Sequence, residues 1–269
     1  MELLINELQK NGVIILDFGS QYTQLIARRV RELNVYSEIL SSNTHLSQII
    51  ERDPSAIILS GGPSSVFGDE APRFDKKIFD IDIPILGICY GLQLLAHHHG
   101  GLVESNGQGE YGFAEIEIDD NKKLFQNVSK FSEVWMSHMD RVTKLPDEWH
   151  TLAHSSNGVI AAMANKDQTR VATQFHPEVI HSKEGKNILK NFLFNISNCY
   201  ANWTAENFVE QKVKLIREEV GESNVLVGVS GGVDSTVVAA LMNKAVGTQC
   251  NAVLIDHGLL RKDEAENCV

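Results

Sequence analysis

The chain has 269 residues, 43% of them hydrophobic, enough for one large core or two ordinary domains. Its 24 basic and 35 acidic residues give a net charge of −11, a field that repels phosphate backbones and excludes duplex nucleic acid as an expected partner. The apolar stretch at Met1–Ile5 is too short for a signal peptide and no later run approaches the length of a membrane span, so a cytoplasmic protein with no membrane contact is expected.

The apolar run Val13–Asp17, after Asn11-Gly12, predicts a buried strand, and Leu25, Ile26, Val30 and Leu33 recur at helical spacing behind it. The basic residues Arg28, Arg29 and Arg31 read as a solvated face of that helix. Strand signals return at 56–59, before Ser60-Gly61-Gly62-Pro63, and at 85–87, before Cys89 and the apolar Leu92, Leu94, Leu95 and Ala96; alternating units of this kind build a parallel sheet. His97-His98-His99 tempts as a metal patch, but consecutive helical residues point about 100° apart and cannot converge on one ion. They read as the end of a helix stopped by Gly100-Gly101.

Between 114 and 175 the pattern shortens and partly alternates, at Glu115–Ile118, Thr151–Ala153, Val159–Ala162 and Val171–Phe175, which predicts a turn to mixed or antiparallel pairing. Gly185–Ile196 predicts an amphipathic helix with Ile188, Leu189, Phe192 and Leu193 on one side, closing a first domain at 1–200. A second α/β unit begins in 201–269, with a helix carrying Phe208, Val209, Val213, Leu215 and Ile216, strands at 225–229 and 252–255, and a helix between them through Val237 to Ala245. Two strands leave an open sheet edge, so this second domain is expected to be incomplete.

Two stretches carry chemistry. The first joins Gly87-Ile88-Cys89-Tyr90-Gly91 to His176-Pro177-Glu178. Small residues around a cysteine between a strand and a helix permit a tight turn that presents the thiol above the sheet, at a helix N-terminus that favours thiolate. His176, after a strand, can supply a base, and Glu178 two residues on can orient it. Gly61-Gly62-Pro63 and the Tyr90 amide offer donors for a developing oxyanion, with Gly62 facing the reacting carbonyl. The other cysteines, Cys199, Cys250 and Cys268, read as reduced structural thiols, since no C-x-x-C spacing suggests a disulfide framework or a zinc ribbon.

The second stretch is Ser230-Gly231-Gly232-Val233-Asp234-Ser235-Thr236, directly after the Val225–Val229 run. Glycines let backbone N–H groups approach phosphate oxygens, hydroxyls donate, and the following helix N-terminus adds positive potential. Asp234 would act through a magnesium ion bridging carboxylate and phosphate, or by fixing the loop. A Walker loop is excluded because no G-K-[ST] follows.

Taken together, Leu59-Ser60-Gly61-Gly62-Pro63, Gly87-Ile88-Cys89-Tyr90-Gly91-Leu92-Gln93 and Gln174-Phe175-His176-Pro177-Glu178 resemble the class I glutamine amidotransferase family. That resemblance implies a mixed, largely parallel α/β sheet flanked by helices. It also implies a thiolate of Cys89 attacking the carboxamide of glutamine, His176 as acid and base, Glu178 as its orienter, and Gln93, Ser137 and His138 in the glutamine pocket. Met139 departs from the family's usual glycine in the Ser137-His138-Met139-Asp140 motif. The opening Ile15–Tyr22 and Ile26–Arg31 resemble the branch of the family that forms GMP, and those residues read structurally.

The 230–236 loop resembles the ATP pyrophosphatase family, and Val253–Arg261 resembles the next strand and loop of the GMP-forming branch. The order of the two resemblances implies ATP and Mg2+ as cofactors, XMP as acceptor, ammonia delivered from the first site, and GMP as product in purine biosynthesis. The segment that binds XMP and forms a homodimer is expected beyond Val269. Two other readings compete: a stand-alone hydrolase of glutamine or γ-glutamyl compounds, and a shortened, non-catalytic chain that pairs with a full-length subunit.

Overall fold

The computed structural model describes residues 11–68, 71–105 and 109–255; Met1–Ile5, Cys268 and the 256–261 part of the Val253–Arg261 resemblance lie outside them. The chain divides into two compact units after Trp203. The first begins with β1 (Val13–Asp17), α1 (Thr23–Arg31), β2 (Ser37–Ser41), α2 (Leu46–Ile50), β3 (Ala56–Leu59), β4 (Ile85–Ile88) and α3 (Tyr90–His98). It continues with β5 (Leu102–Glu104), β6 (Glu110–Ile118), β7 (Phe131–His138), β8 (Arg141–Lys144), β9 (His150–Ser155), β10 (Ile160–Ala164), β11 (Arg170–Thr173) and α4 (Gly185–Asn191).

Nine of these strands form one sheet in the order β2-β1-β3-β4-β11-β10-β9-β6-β7. The β2 to β11 half is parallel and the β11 to β7 half antiparallel, so the sheet is mixed as the residue patterns predict. The pleat explains the core. Val13 and Ile15 point to one face with Ile26, Val30, Phe175 and Phe192, while Ile14 and Leu16 point to the other with Leu92, Leu95 and Phe79. A strand buried on both faces reads as an unbroken apolar run, which is why β1, β3 and β4 are so legible. Each fully buried Ile, Leu or Phe here stabilises the fold by about 1.5–3 kcal/mol.

Besides α2, β5, β7 and β8, which the residue patterns do not anticipate, two differences from expectation have a physical reason. The helix predicted over Gly185–Ile196 is α-helical only to Asn191 and finishes as a π-helical turn over Phe192–Ile196. Asn191 explains part of this, because its side chain leaves the helix to donate to the carbonyls of Leu124 and Gln126 at 2.9 and 2.8 Å. The other difference is β2, whose Ser-Glu-Ile-Leu-Ser sequence carries no strand signal; as an edge strand it buries little and borrows its conformation from pairing with β1.

In the second unit α5 (Ala205–Val220), β12 (Val225–Val229), α6 (Val233–Val246) and β13 (Cys250–Leu254) follow in order, with β12 and β13 parallel from Val225↔Cys250 to Val229↔Leu254. The Thr204 side chain caps α5 by accepting from the Asn207 amide at 3.1 Å. From α5, Arg217 donates to the carbonyls of Ala245 and Lys244, satisfying the last turn of α6 where a cation is favoured.

Candidate active site

The position of Cys89 follows from the sheet. β4 and β11 are parallel neighbours in register, with Ile88 opposite Thr173, so whatever follows each strand emerges at the same edge. Cys89 follows β4, His176 lies three residues beyond β11, and Gly61-Gly62 follows β3 alongside. Open α/β sheets gather ligands at these carboxyl ends.

Cys89 has φ +53° and ψ −101°, a backbone state that an L-residue rarely adopts, and its amide is held by the Thr173 carbonyl at 2.7 Å. The flanking glycines make the turn sterically possible: a Cβ on Gly91 would stand 2.6 Å from the Leu59 carbonyl oxygen, and one on Gly87 would stand 2.5 Å from that of Gly91. The thiol donates to the Ser137 carbonyl at 3.5 Å, and Gln174 Nε2 approaches the sulfur at 3.7 Å. Although the residue is 4% exposed, it opens on a cavity of ≈ 510 Å³ rather than being sealed in hydrocarbon.

His176 lines the same cavity, close enough for the Cys89 sulfur to act on its charge. Its Nδ1 lies 2.7 Å from Glu178 Oε1, and since the carboxylate accepts, Nδ1 carries hydrogen and Nε2 is the nitrogen available to sulfur. Burial opposes charge on this imidazole, but Glu178 and the Cys89 sulfur outweigh it and raise the pKa to about 10. The ring is therefore an imidazolium at neutral pH, able to hold a thiolate by charge and to deliver a proton to a leaving group.

The ring is braced on several sides. The His176 amide donates to the Trp135 carbonyl at 3.0 Å, Ser182 Oγ donates to the His176 carbonyl at 2.6 Å while accepting from the Trp135 amide, and Tyr22 packs edge-on at 5.1 Å. Glu178 is fully buried, and Arg29 Nε donates to its backbone carbonyl at 2.9 Å. This corrects the reading of Arg28, Arg29 and Arg31 as a plain solvated face: Arg29 reaches behind the His176–Glu178 pair, and Arg31 donates to the Ser37 carbonyl. No local pattern could have announced the Arg29 contact, because its partner lies 149 residues away.

Gly62, Gln93, Ser137, His138 and Asp140 also line the cavity. Gln93 Nε2 donates to the Asp140 carbonyl at 2.8 Å, which leaves Oε1 for a ligand. Tyr90 differs from the rest: its ring turns into the core against Phe18, so only its backbone N–H, in the first turn of α3, is in question as an oxyanion donor. Ser20, Gln21 and Tyr22, read as structural in the sequence, line the cavity too. The histidine run behaves as a helix end, with His98 and His99 stacked on Phe79 and Trp149. Among the described residues, no group of three or more His, Cys, Asp or Glu is arranged to hold a metal.

A family model for class-I glutamine amidotransferases matches residues 14–196, about two thirds of the chain and all the residues around Cys89. The chain belongs to the class-I glutamine amidotransferase family. A second model, for NAD synthase, matches residues 203–268. Among its relatives, this amidotransferase chain is 50% identical over 260 residues to a glutamine-hydrolysing GMP synthase of Fusobacterium nucleatum subsp. nucleatum, covering 96% of the chain and 51% of the relative. It is 51% identical over 257 residues to that of Brachyspira hyodysenteriae, covering 96% of the chain and 50% of the relative. The chain thus spans about half the length of the curated relatives it matches. A solved structure from Thermoplasma acidophilum, described as a candidate GMP synthase subunit, superposes with a TM-score of 0.63 at 29% identity, covering 76% of this chain and 98% of that one. Among the described residues, no helix is long and apolar enough to cross a membrane.

In the second unit the 230–236 segment joins β12 to α6. Gly231 has φ +75°, Gly232 caps α6, and Asp234 stands in its first turn. The hydroxyls of Ser235 and Thr236 are drawn back to the Gly232 carbonyl, so the groups turned outward are chiefly the first amides of the helix. That geometry suits an anion. Asp234 offers a single carboxylate, which fits a hard cation whose other ligands are phosphate and water.

Proposed function

We propose that the first unit hydrolyses glutamine and that its ammonia serves the ATP-dependent amination of XMP to GMP. The observation that carries this reading is the strained Cys89 elbow sharing a cavity with an imidazolium held 2.7 Å from a buried carboxylate. In this mechanism the Cys89 thiolate attacks the γ-carboxamide carbon, and the oxyanion that forms is met by the amides of Gly62 and Tyr90. His176 protonates the nitrogen, ammonia leaves, and a γ-glutamyl thioester remains. His176, now neutral, takes a proton from water as it attacks the thioester, and glutamate is released as the thiolate returns. Gln93, Ser137 and His138 position the substrate.

The second unit supports an ATP pyrophosphatase role. Residues 230–236 would hold the pyrophosphate, with Asp234 reaching Mg2+, and ATP when bound supplies the adenylyl group that activates the XMP oxygen for displacement by ammonia. Reduced cysteines fit a cytoplasmic enzyme, and the full-length form is proposed to act as a homodimer.

The test is direct: the chain incubated with glutamine should release glutamate and ammonia in equal amounts, and no release at any glutamine concentration would overturn the reading. Asp234→Ala separates the two sites. It should weaken Mg-ATP binding roughly tenfold, the order expected when one group of an ion site is lost, and leave glutamine turnover intact. A chain that hydrolyses glutamine but binds no ATP narrows the function to a stand-alone glutamine hydrolase.

A further inference from the structure

We propose that Glu110 and His138 share a single proton, and that this proton fixes the Ser137–Asp140 turn that walls the glutamine pocket. The proposal rests on the glutamine-hydrolysing reading of the cavity. Glu110 opens β6, His138 closes β7, and the two are direct cross-strand partners. Both side chains are largely buried, with His138 Nε2 3.4 Å from Glu110 Oε2, and among the described residues neither of these two atoms has a hydrogen-bond partner elsewhere.

The other ends of both groups are already committed. Glu110 Oε1 accepts from Ser155 Oγ at 3.0 Å and from Asn157 Nδ2 at 2.8 Å. His138 Nδ1 lies 3.0 Å from the Asp140 carbonyl, which only accepts, so Nδ1 must carry hydrogen. A neutral imidazole of that tautomer presents a lone pair at Nε2. An ionised Glu110 opposite it would set two buried acceptors face to face, each unsatisfied and each bearing the full penalty of its desolvation. One proton between them removes the conflict, whether written as imidazolium with carboxylate or as imidazole with carboxylic acid.

The groups facing His138 are Glu110 from β6, His176 beyond β11 and the Asp140 carbonyl. Burial holds its pKa below the ordinary histidine value against the opposing pull of Glu110, and the charge of His176 adds to the lowering, so the shared proton is held on the acid side and leaves as the pH rises toward neutral. The turn it holds is functional ground: the Asp140 carbonyl is gripped by both His138 and Gln93, and the Ser137 carbonyl accepts from the Cys89 thiol. Losing the proton should loosen substrate binding more than chemistry.

NMR of histidine-labelled wild-type chain at pH 5 should show Nδ1–H and a second proton on the Nε2 side of His138. In kinetics, Glu110→Ala should raise KM for glutamine about tenfold, the lower part of the range for orphaning a buried acceptor, with kcat within about threefold. Glu110→Gln, whose amide N–H can donate to Nε2 at any pH, should restore KM and abolish the rise in KM expected of the wild type as the pH is raised from 5 to 8. An unprotonated Nε2 beside an ionised Glu110 at pH 5 overturns the proposal, as does a Glu110→Gln variant no better than Glu110→Ala. If the wild-type chain turns over no glutamine, the functional reading fails, while the NMR result still decides the proton.

Discussion

Cys89→Ala should abolish glutamine hydrolysis, with kcat falling by roughly 10⁴-fold or more, the scale seen when the nucleophile of a cooperating set is removed. The loss should be chemical and not structural. Alanine at position 89 keeps the φ +53° strain and gives up only a thiol whose packing is partly against the open cavity. The melting temperature should therefore move little, and glutamine should still bind, so the variant is expected to saturate with substrate by calorimetry while releasing no glutamate. Residual turnover within tenfold of the parent would mean that a different group attacks the carboxamide.

Glu178→Gln should be the next most damaging change, lowering kcat by about 10²–10⁴-fold. The carboxylate keeps His176 charged and Nδ1-protonated; an amide in its place supplies no charge and can present the wrong end to the ring. A stability signature should accompany the loss. The folded pKa of His176, about 10, lies above the ordinary histidine value, so the group contributes stability that is complete below about pH 6.5 and lost as the pH rises through 10. The difference in melting temperature between wild type and Glu178→Gln should thus be largest near pH 6–7 and shrink toward pH 10. A difference that grows with pH would reject an imidazolium at position 176. Turnover and thermal melts of both proteins across this range supply the measurement.

Much of the fold and the core of the site are legible because their signals are local. An unbroken apolar run such as Ala56–Leu59 can scarcely be anything but a buried strand, and glycines at 87 and 91 around a cysteine announce a crowded turn. β7 is harder: its Phe-Ser-Glu-Val-Trp-Met-Ser-His alternates correctly, but exposed Phe131 and half-buried Trp135 on the solvent side blur the pattern. The supporting residues are illegible for a different reason. Arg29, Ser182 and Glu110 act through partners fixed only by tertiary pairing, and each belongs to a residue type that is ordinarily on the surface. Arg28 and Arg29 both pair with Glu32 at the surface, yet only Arg29 also reaches the Glu178 carbonyl, so neighbouring positions of the same kind have different fates.

The in-register pairing of β4 with β11 decouples reactivity from chain length. The strands that deliver sulfur and imidazole lie one interstrand step of about 4.8 Å apart, so the many residues separating them along the backbone have no leverage on that gap. Insertions into the connecting loops should be absorbed silently. A slip of one residue within either four-residue strand, by contrast, would swing its terminus to the opposite face of the sheet and separate the two groups at once.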